Sequence, residues 1–427
     1  MHANPELVRH NEQFQKQIIT LAPDIYGAIG FAASNVYMLV GEISVVIIDT
    51  TETTKAAENI LAGFRQITDK PVSTIIYTHS HRDHISGATV FAEGGTPEVI
   101  ASDNFESDLV DVDTRHPVPA KALMARTARQ FGMGLSFPTE RVNIGLGPGD
   151  RPIEGMGQGF IPPTLSIAEA RTTLQRDGLT LELIKAPGET PDHIVVWIAD
   201  KKILFCGDNF YWSFPNLYAI RGTPYRDFNA WADTLDLLLE FNADVLAGGH
   251  TMPVKGADNI SQYLTDYRDA IKHIVAETVE GMNQLLGPDE LAHTVALPEE
   301  LAKKPYLKEF YGKVSWAVRA YFAGTLGWFD GNPTNLARLS TKKRSQKTVT
   351  LAGGPDALLT AMQGAAAAGE HQWALELCDH LIAAGHHAEQ ATRLKVASLR
   401  VLADEEINAT ARNYYLLSAN QLEQSLA

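Results

Sequence analysis

Cysteine is nearly missing from this chain of 427 residues, which carries two, Cys206 and Cys378. They lie far apart in sequence and in different expected domains. A disulfide framework and a thiolate metal cluster are therefore not expected, and both residues read as small buried hydrophobes. Long apolar runs are lacking as well: no window approaches the roughly 18 consecutive apolar residues of a membrane span. Residues 1–16 are polar and without the apolar stretch of a signal peptide, so the expected compartment is the cytoplasm, or the periplasm if a leader has been removed. Positive charge is in deficit, with 36 Lys and Arg against 51 Asp and Glu and a net charge of -15. Such a balance argues against a nucleic-acid partner, because phosphate backbones require a basic face. It leaves an anionic small substrate open, since metal cations and a few arginines dominate the field inside a pocket. No Ser-His-Asp or Cys-His arrangement offers a nucleophile.

What remains is an ordinary globular composition, 45% hydrophobic and 20% charged. The length exceeds one compact domain and points to two units with a bridging segment. Asn35 to Leu39 and Val45 to Ile48, separated by Gly41-Glu42, predict two antiparallel strands and a tight turn. Thr54 to Ile67 has helical periodicity, with Ile60, Leu61 and Phe64 on one face. Further strands are expected at Val72 to Tyr77, residues 178–185, His193 to Ile198 and Lys202 to Cys206. Alternating strands and helices with some antiparallel pairs indicate a layered α/β fold. Residues 111–177 are less regular and rich in Gly and Pro, as functional loops often are. From about Asn259 strand alternation disappears and helix-forming residues take over. The basic stretch 341–348 reads as a boundary, and the segment beyond it as helical hairpins such as Ala357 to Ala368 and Gln372 to Ala384. The expected units are 1–258, 259–345 and 346–427, the last a packing or assembly module.

The chemistry concentrates in one loop. His79, His81, Asp83 and His84 follow an apolar strand directly. Imidazole and carboxylate are the ligands of a hydrolytic zinc site. Two His at i and i+2 on extended chain can face one metal, and the following Asp and His a second one nearby. Such a pair of ions holds a hydroxide at neutral pH and clamps a displacement transition state.

His79-Ser80-His81-Arg82-Asp83-His84 matches the H-x-H-x-D-H signature in full, and the chain here resembles the metallo-β-lactamase superfamily. The resemblance implies an αββα sandwich, and it makes Asp49 the residue that orients the metal loop. Where the superfamily has a third His, this chain has Glu189, within Pro187-Gly188-Glu189-Thr190-Pro191-Asp192-His193. The implied set is His79, His81 and Glu189 on one metal, Asp83, His84 and His250 on the other, and Asp208 bridging. Asp83 and Asp208 are the expected catalytic carboxylates, and His193 is given a supporting role rather than a ligand's.

Glu189 narrows the resemblance to the alkyl sulfatase family. The segments Asn216 to Gly222 with Arg226-Asp227, Glu309 to Ala320, Leu326 to Thr334 and Ala411 to Leu416 are similar to the same family. This implies hydrolysis of organic sulfate esters at two zinc ions and a homodimer held by an all-α dimerisation domain. It also implies sulfate contacts from Asn216 and Arg221, and a planar Arg fork suits a tetrahedral oxyanion. Trp316 and Trp328 are expected either to line an apolar path or to be core aromatics. Three features depart from the family: Asp208 where Glu is common, the aromatic run Tyr211 to Pro215, and Thr251-Met252-Pro253 after His250. The chain is also expected to lack the sterol-carrier-like domain of longer members. A substrate range shifted away from long alkyl sulfates is the resulting expectation. A carboxylic ester or lactone hydrolase on the same site is the alternative, and a non-catalytic assembly protein the third reading.

Overall fold

A computed structural model describes residues 2–107 and 119–426. β1 (Gln17–Ala22), β2 (Ile25–Ile29), β3 (Val36–Val40), β4 (Val45–Ile48), β5 (Val72–Ile76), β6 (Glu98–Ser102) and β7 (Leu165–Ile167) form one sheet in that order. β8 (Arg171–Arg176), β9 (Leu179–Lys185), β10 (Ile194–Ile198), β11 (Ile203–Gly207), β12 (Val245–Gly248) and β13 (Val254–Lys255) form the other. Neighbours are antiparallel from β1 to β4 and parallel from β4 to β7. In the second sheet only β11 and β12 run parallel. Parallel neighbours need a crossover, and the helices Thr54–Phe64 and Phe228–Leu239 supply it where the chemistry sits.

Alternation of side chains along each strand explains why both faces of the sheets are buried. In β4, Val46 and Ile48 point between the sheets, where they join Leu39, Ile76, Leu183, Val196 and Phe205. Val45 and Ile47 point outward to Ile60 and Phe64 of the crossover helix. That helix begins where it does because Thr53 Oγ1 accepts from Ala56 N at 3.0 Å, a standard N-cap. On the other side Val195, Leu204 and Leu246 meet Trp231, Leu235, Leu264 and Ile271 of the helices Phe228–Leu239 and Ala257–Asn283. The result is the expected αββα sandwich followed by helices. Both cysteines are buried, Cys206 in the outer core of the second sheet and Cys378 among the helices.

Among its described residues the irregular segment contains one helix, Ala120–Gln130, and the strands β7 and β8; residues 111–118 lie outside the described residues. Residues 341–348 are not a connecting stretch but the first two turns of the helix Thr341–Leu351. Ser340 caps it at Lys343 N, and Ser345 and Val349, one turn apart, bury a narrow face. Two positions per helix face were too few to register as periodicity in so basic a run. Val349 packs with Leu358, Met362, Leu377 and Leu381 of the expected hairpin, observed as Pro355–Ala367 and His371–Ala384. The last helix, Ala409–Gln424, packs on the preceding helix Ala388–Glu405 and, on another face, on Ala120–Gln130. No helix among the described residues is long and apolar enough to cross a membrane.

Candidate active site

The site lies at the ends of strands from both sheets. β5 delivers Thr78 and His79, the short helix Arg82–Ile85 delivers Asp83 and His84, β11 ends just before Asp208, and β12 just before His250. Asp49 follows β4 with φ of 58°, and Thr51 has φ of 63°. Such left-handed backbone is unfavourable for most residues and concentrates at functional sites. Here it turns the Asp49 carboxylate under the loop.

Asp49 Oδ1 accepts from Thr78 N at 2.8 Å, and Oδ2 from Thr78 Oγ1 at 2.9 Å and His84 Nδ1 at 2.8 Å. Because the Thr78 hydroxyl gives its proton to Asp49, it accepts from His79 Nδ1 at 3.0 Å. His250 Nδ1 donates to Ala33 O at 2.7 Å. All three histidines thus commit Nδ1–H outward and present Nε2 to the centre, the arrangement that fixes a ligand tautomer. His193 is stacked on His79 at 4.6 Å, and its Nε2 accepts from Asp208 N at 3.0 Å, so it supports rather than joins the cluster.

Asp208 sits in the middle, with carboxylate oxygens 3.0 Å from His250 Nε2, 3.4 Å from His84 Nε2 and 3.7 Å from His79 Nε2. Asp83 Oδ2 lies 3.5 Å from His250 Nε2 and 3.6 Å from His84 Nε2. His81 Nδ1 lies 3.7 Å from Glu189 Oε1. Three sets could each hold an ion, with ligand atoms within 4.8 Å of one another: His79, His84 and Asp208; Asp83, His84 and His250; and His81, Glu189 and Asp208. The close approach depends on Gly249, where a Cβ would fall 2.3 Å from Asp208 Oδ1 and 2.7 Å from His84 Cε1. Every residue of the seven expected ligands is therefore in one cluster, and Asp208 belongs to more than one set.

The electrostatics fit a site that would hold cations. Buried His84 Nε2, Glu189 Oε2 and Asp208 Oδ1 have no hydrogen-bond partner, and stranded buried groups carry a penalty unless something fills them. Burial pushes Glu189 up to about 7 against the pull of Arg226. Burial opposes charge on His84 and His250, but Asp208 leads the carboxylates that outweigh it, holding His84 well above the usual histidine range and His250 at about 9. Burial drives His79 and His81 well below that range, and for His81 the charges of Arg226 and then Arg221 add to it. Metal binding would release the protons of His84 and His250.

The substrate-side expectations fare differently. Arg221 is half-buried, its N donating to Gln130 Oε1 at 2.9 Å and its Nη1 to Gly222 O at 3.1 Å. Asn216 is buried and meets the site through its main chain: its N donates to Tyr211 OH at 2.7 Å, and its O accepts from Arg226 Nη1. Arg226 also pairs with Glu189 Oε1 at 2.8 Å, both side chains almost fully buried. No role was assigned to Arg226 or Gln130 from sequence; nothing in the local pattern separates them from surface residues. Tyr211 and Phe214 of the aromatic run are core residues. Trp328 is 78% exposed, so it is not a core aromatic, and Trp316 is half-buried beneath Lys313, whose Nζ lies 5.7 Å from its ring.

Comparison with known proteins fits this geometry. A metallo-beta-lactamase superfamily model matches residues 29–250, and an alkyl sulfatase dimerisation model matches residues 287–425. A linear primary-alkylsulfatase from Pseudomonas sp. (strain ATCC 19151) is 37% identical, covering 89% of this chain and 72% of its own. The alkyl/aryl-sulfatase BDS1 of Saccharomyces cerevisiae is 30% identical, covering 96% of this chain and 64% of its own. The solved structure of the stereoselective inverting sec-alkylsulfatase Pisa1 from Pseudomonas sp. superposes with a TM-score of 0.89 at 29% identity, covering 100% of this chain and 68% of that one. The chain belongs to the alkyl sulfatase family of the metallo-beta-lactamase superfamily, a family of sulfuric ester hydrolases.

Proposed function

We propose that the chain hydrolyses organic sulfate esters with two zinc ions, one on His79, His81 and Glu189, the other on Asp83, His84 and His250, with Asp208 bridging. The chemistry of the donors supports this, since neutral imidazoles and carboxylates without thiolates suit hydrolytic zinc. Bound there, the pair of ions supplies Lewis acidity and activates water at neutral pH. The chain's own groups do the rest. Asp83 is the most open of the acidic side chains, 31% exposed against 2% for Asp208 and 4% for Glu189. As the most accessible of the three it is assigned to take a proton from water. Arg226 pairs with Glu189 and opposes the effect of its burial, and Arg221 and Asn216 receive the sulfate group.

One observation carries the substrate class. Arg226, paired with Glu189 Oε1 at 2.8 Å, and Arg221, five residues before it, bring two guanidinium groups to the segment beside the cluster in a chain whose overall charge is -15. Together with two bound cations, these guanidinium groups would favour an anionic substrate. Sulfate release from a panel of primary, secondary and aryl sulfates by zinc-loaded protein tests the reading. Turnover of carboxylic esters or lactones with none on the sulfates replaces it.

We further assign residues 1–258 to the catalytic unit, 259–345 to a helical extension and 346–427 to a helical dimerisation unit. Exposed Leu326, Trp328, Leu336 and Leu351 in the matched helical region support a homodimer.

A further inference from the structure

The last helix, Ala409–Gln424, belongs to the helical region, yet its start bonds to the segment 309–312, which backs the loop 213–216. Its N-cap, Asn408, is completely buried. Oδ1 performs the ordinary capping task, accepting from Ala411 N at 2.9 Å and Thr410 Oγ1 at 2.7 Å. Nδ2 makes contacts that no helix cap requires. It lies 2.8 Å from Glu309 O, 2.8 Å from Tyr311 O and 3.3 Å from Gly312 O. Ala409 N donates to Phe310 O at 2.9 Å. Each carbonyl from residue 309 to 312 is thus held by the start of this helix.

The other side of that segment backs the loop that contains Ser213 and Phe214. Tyr311 N donates to Ser213 Oγ at 2.9 Å, Gly312 N to Phe214 O at 3.3 Å, and Phe214 N to Lys308 O at 2.8 Å. Backbone meets backbone here: a Cβ on Gly312 would fall 2.2 Å from Pro215 O and 2.9 Å from Asn216 Cα. Asn216 O in turn accepts from Arg226, the partner of Glu189. A second strut lies one turn along. Asn413 Nδ2 donates to Asn143 O at 3.3 Å and Gln130 O at 3.5 Å, and Gln130 Oε1 receives Arg221 N.

We propose that Asn408 is a positioning residue of the active site. Its amide fixes residues 309–312, and through them the 213–216 loop and the Arg226–Glu189 pair, so that the helical region completes the substrate side of the site in its own chain. The proposal rests on the hydrolase reading only for the choice of assay. Buried amide networks of this kind hold geometry, and misplacement of a catalytic constellation by about 1 Å is worth about a hundredfold in rate.

Asn408→Ser and Asn408→Asp separate this role from simple capping, because Ser and Asp cap a helix about as well as Asn but lack the amide N–H pair that donates to these carbonyls. The expected result is unchanged metal content and a fall of about tenfold to a hundredfold in kcat/KM on the best ester of the wild type. KM carries more of that change than kcat. Amide hydrogen exchange across residues 211–226 speeds up, while residues 409–424 stay protected. Ser213→Ala, which cuts the same link from the other end in a milder way, gives the same exchange pattern even where an Asn408 variant does not fold. Wild-type exchange in 211–226 and wild-type kcat/KM in these variants would overturn the proposal. A wild type that turns over no sulfate ester defeats the functional reading instead, and the exchange result still decides this one.

Discussion

Four of the seven candidate metal ligands, His79, His81, Asp83 and His84, fall within six consecutive residues, whereas the substrate-side segment 211–226 depends on groups as distant in sequence as Gln130 and Asn408. The metal side hangs on strand ends: β4, β5, β11 and β12 fix Asp49, the His loop, Asp208 and His250 through sheet hydrogen bonds. The substrate side has no strand beneath it. Residues 211–226 bond to Gln130 and to the backbone of residues 308–312, which Asn408 of the helical region in turn holds. A strand end fixes direction from local sequence, while a loop takes its shape from whatever packs behind it. The two halves should therefore fail differently.

The largest expected effect is on the metal side. His81→Ala should abolish turnover and lower the thermal midpoint through loss of metal. Elemental analysis beside the activity assay checks it, and unchanged turnover would refute the ligand assignment. Next comes the pair that joins the halves. Arg226→Met leaves Glu189 buried without its guanidinium, and losing one partner of a buried pair typically costs about 3–5 kcal/mol. Denaturant unfolding of the zinc-loaded protein measures it. A loss below about 1 kcal/mol would show that the metal alone satisfies Glu189.

A pH experiment probes the loop half. His10 is buried, donates from Nε2 to Gly145 O at 2.7 Å and stacks on Phe310 at 4.0 Å, beside the segment that Asn408 holds. Burial lowers it from 6.5 to about 4, so the folded protein keeps it neutral while the unfolded chain protonates. Its contribution is complete above pH 6.5 and is lost as pH falls toward 4, roughly 3 kcal/mol in all. The difference between wild type and His10→Gln in unfolding free energy, taken at pH 7 and pH 4.5, isolates this from the titration of the metal residues. A difference that does not change with pH rules it out. The smallest expected effect is Asp49→Asn. It keeps the shape but weakens acceptance from Thr78 and His84, and such changes typically lower metal affinity about tenfold to a hundredfold. Competition with a chelator reads it directly.

The same contrast accounts for what could be read in advance. Strands β3 to β5 and β9 to β11 were legible within a residue or two, because buried strands show as short apolar runs. The metal cluster was legible because a dense ligand motif follows one of those runs. Arg226, Gln130 and Asn408 were not, because a buried Arg or Asn looks the same in sequence as an exposed one until its distant partners are known. The helix at 341–351 was hidden for a related reason, its buried face being too narrow to interrupt a basic run.

Asp49 carries one further consequence. A single oxygen, Oδ2, receives both the hydroxyl that steers His79 and the ring of His84. In the proposed assignment these two histidines serve different ions. The two cation positions then share one hinge pin and are not separable modules. Drift toward a one-metal enzyme cannot proceed by eroding one position while the other stands intact, because the anchor common to both would have to be rebuilt first.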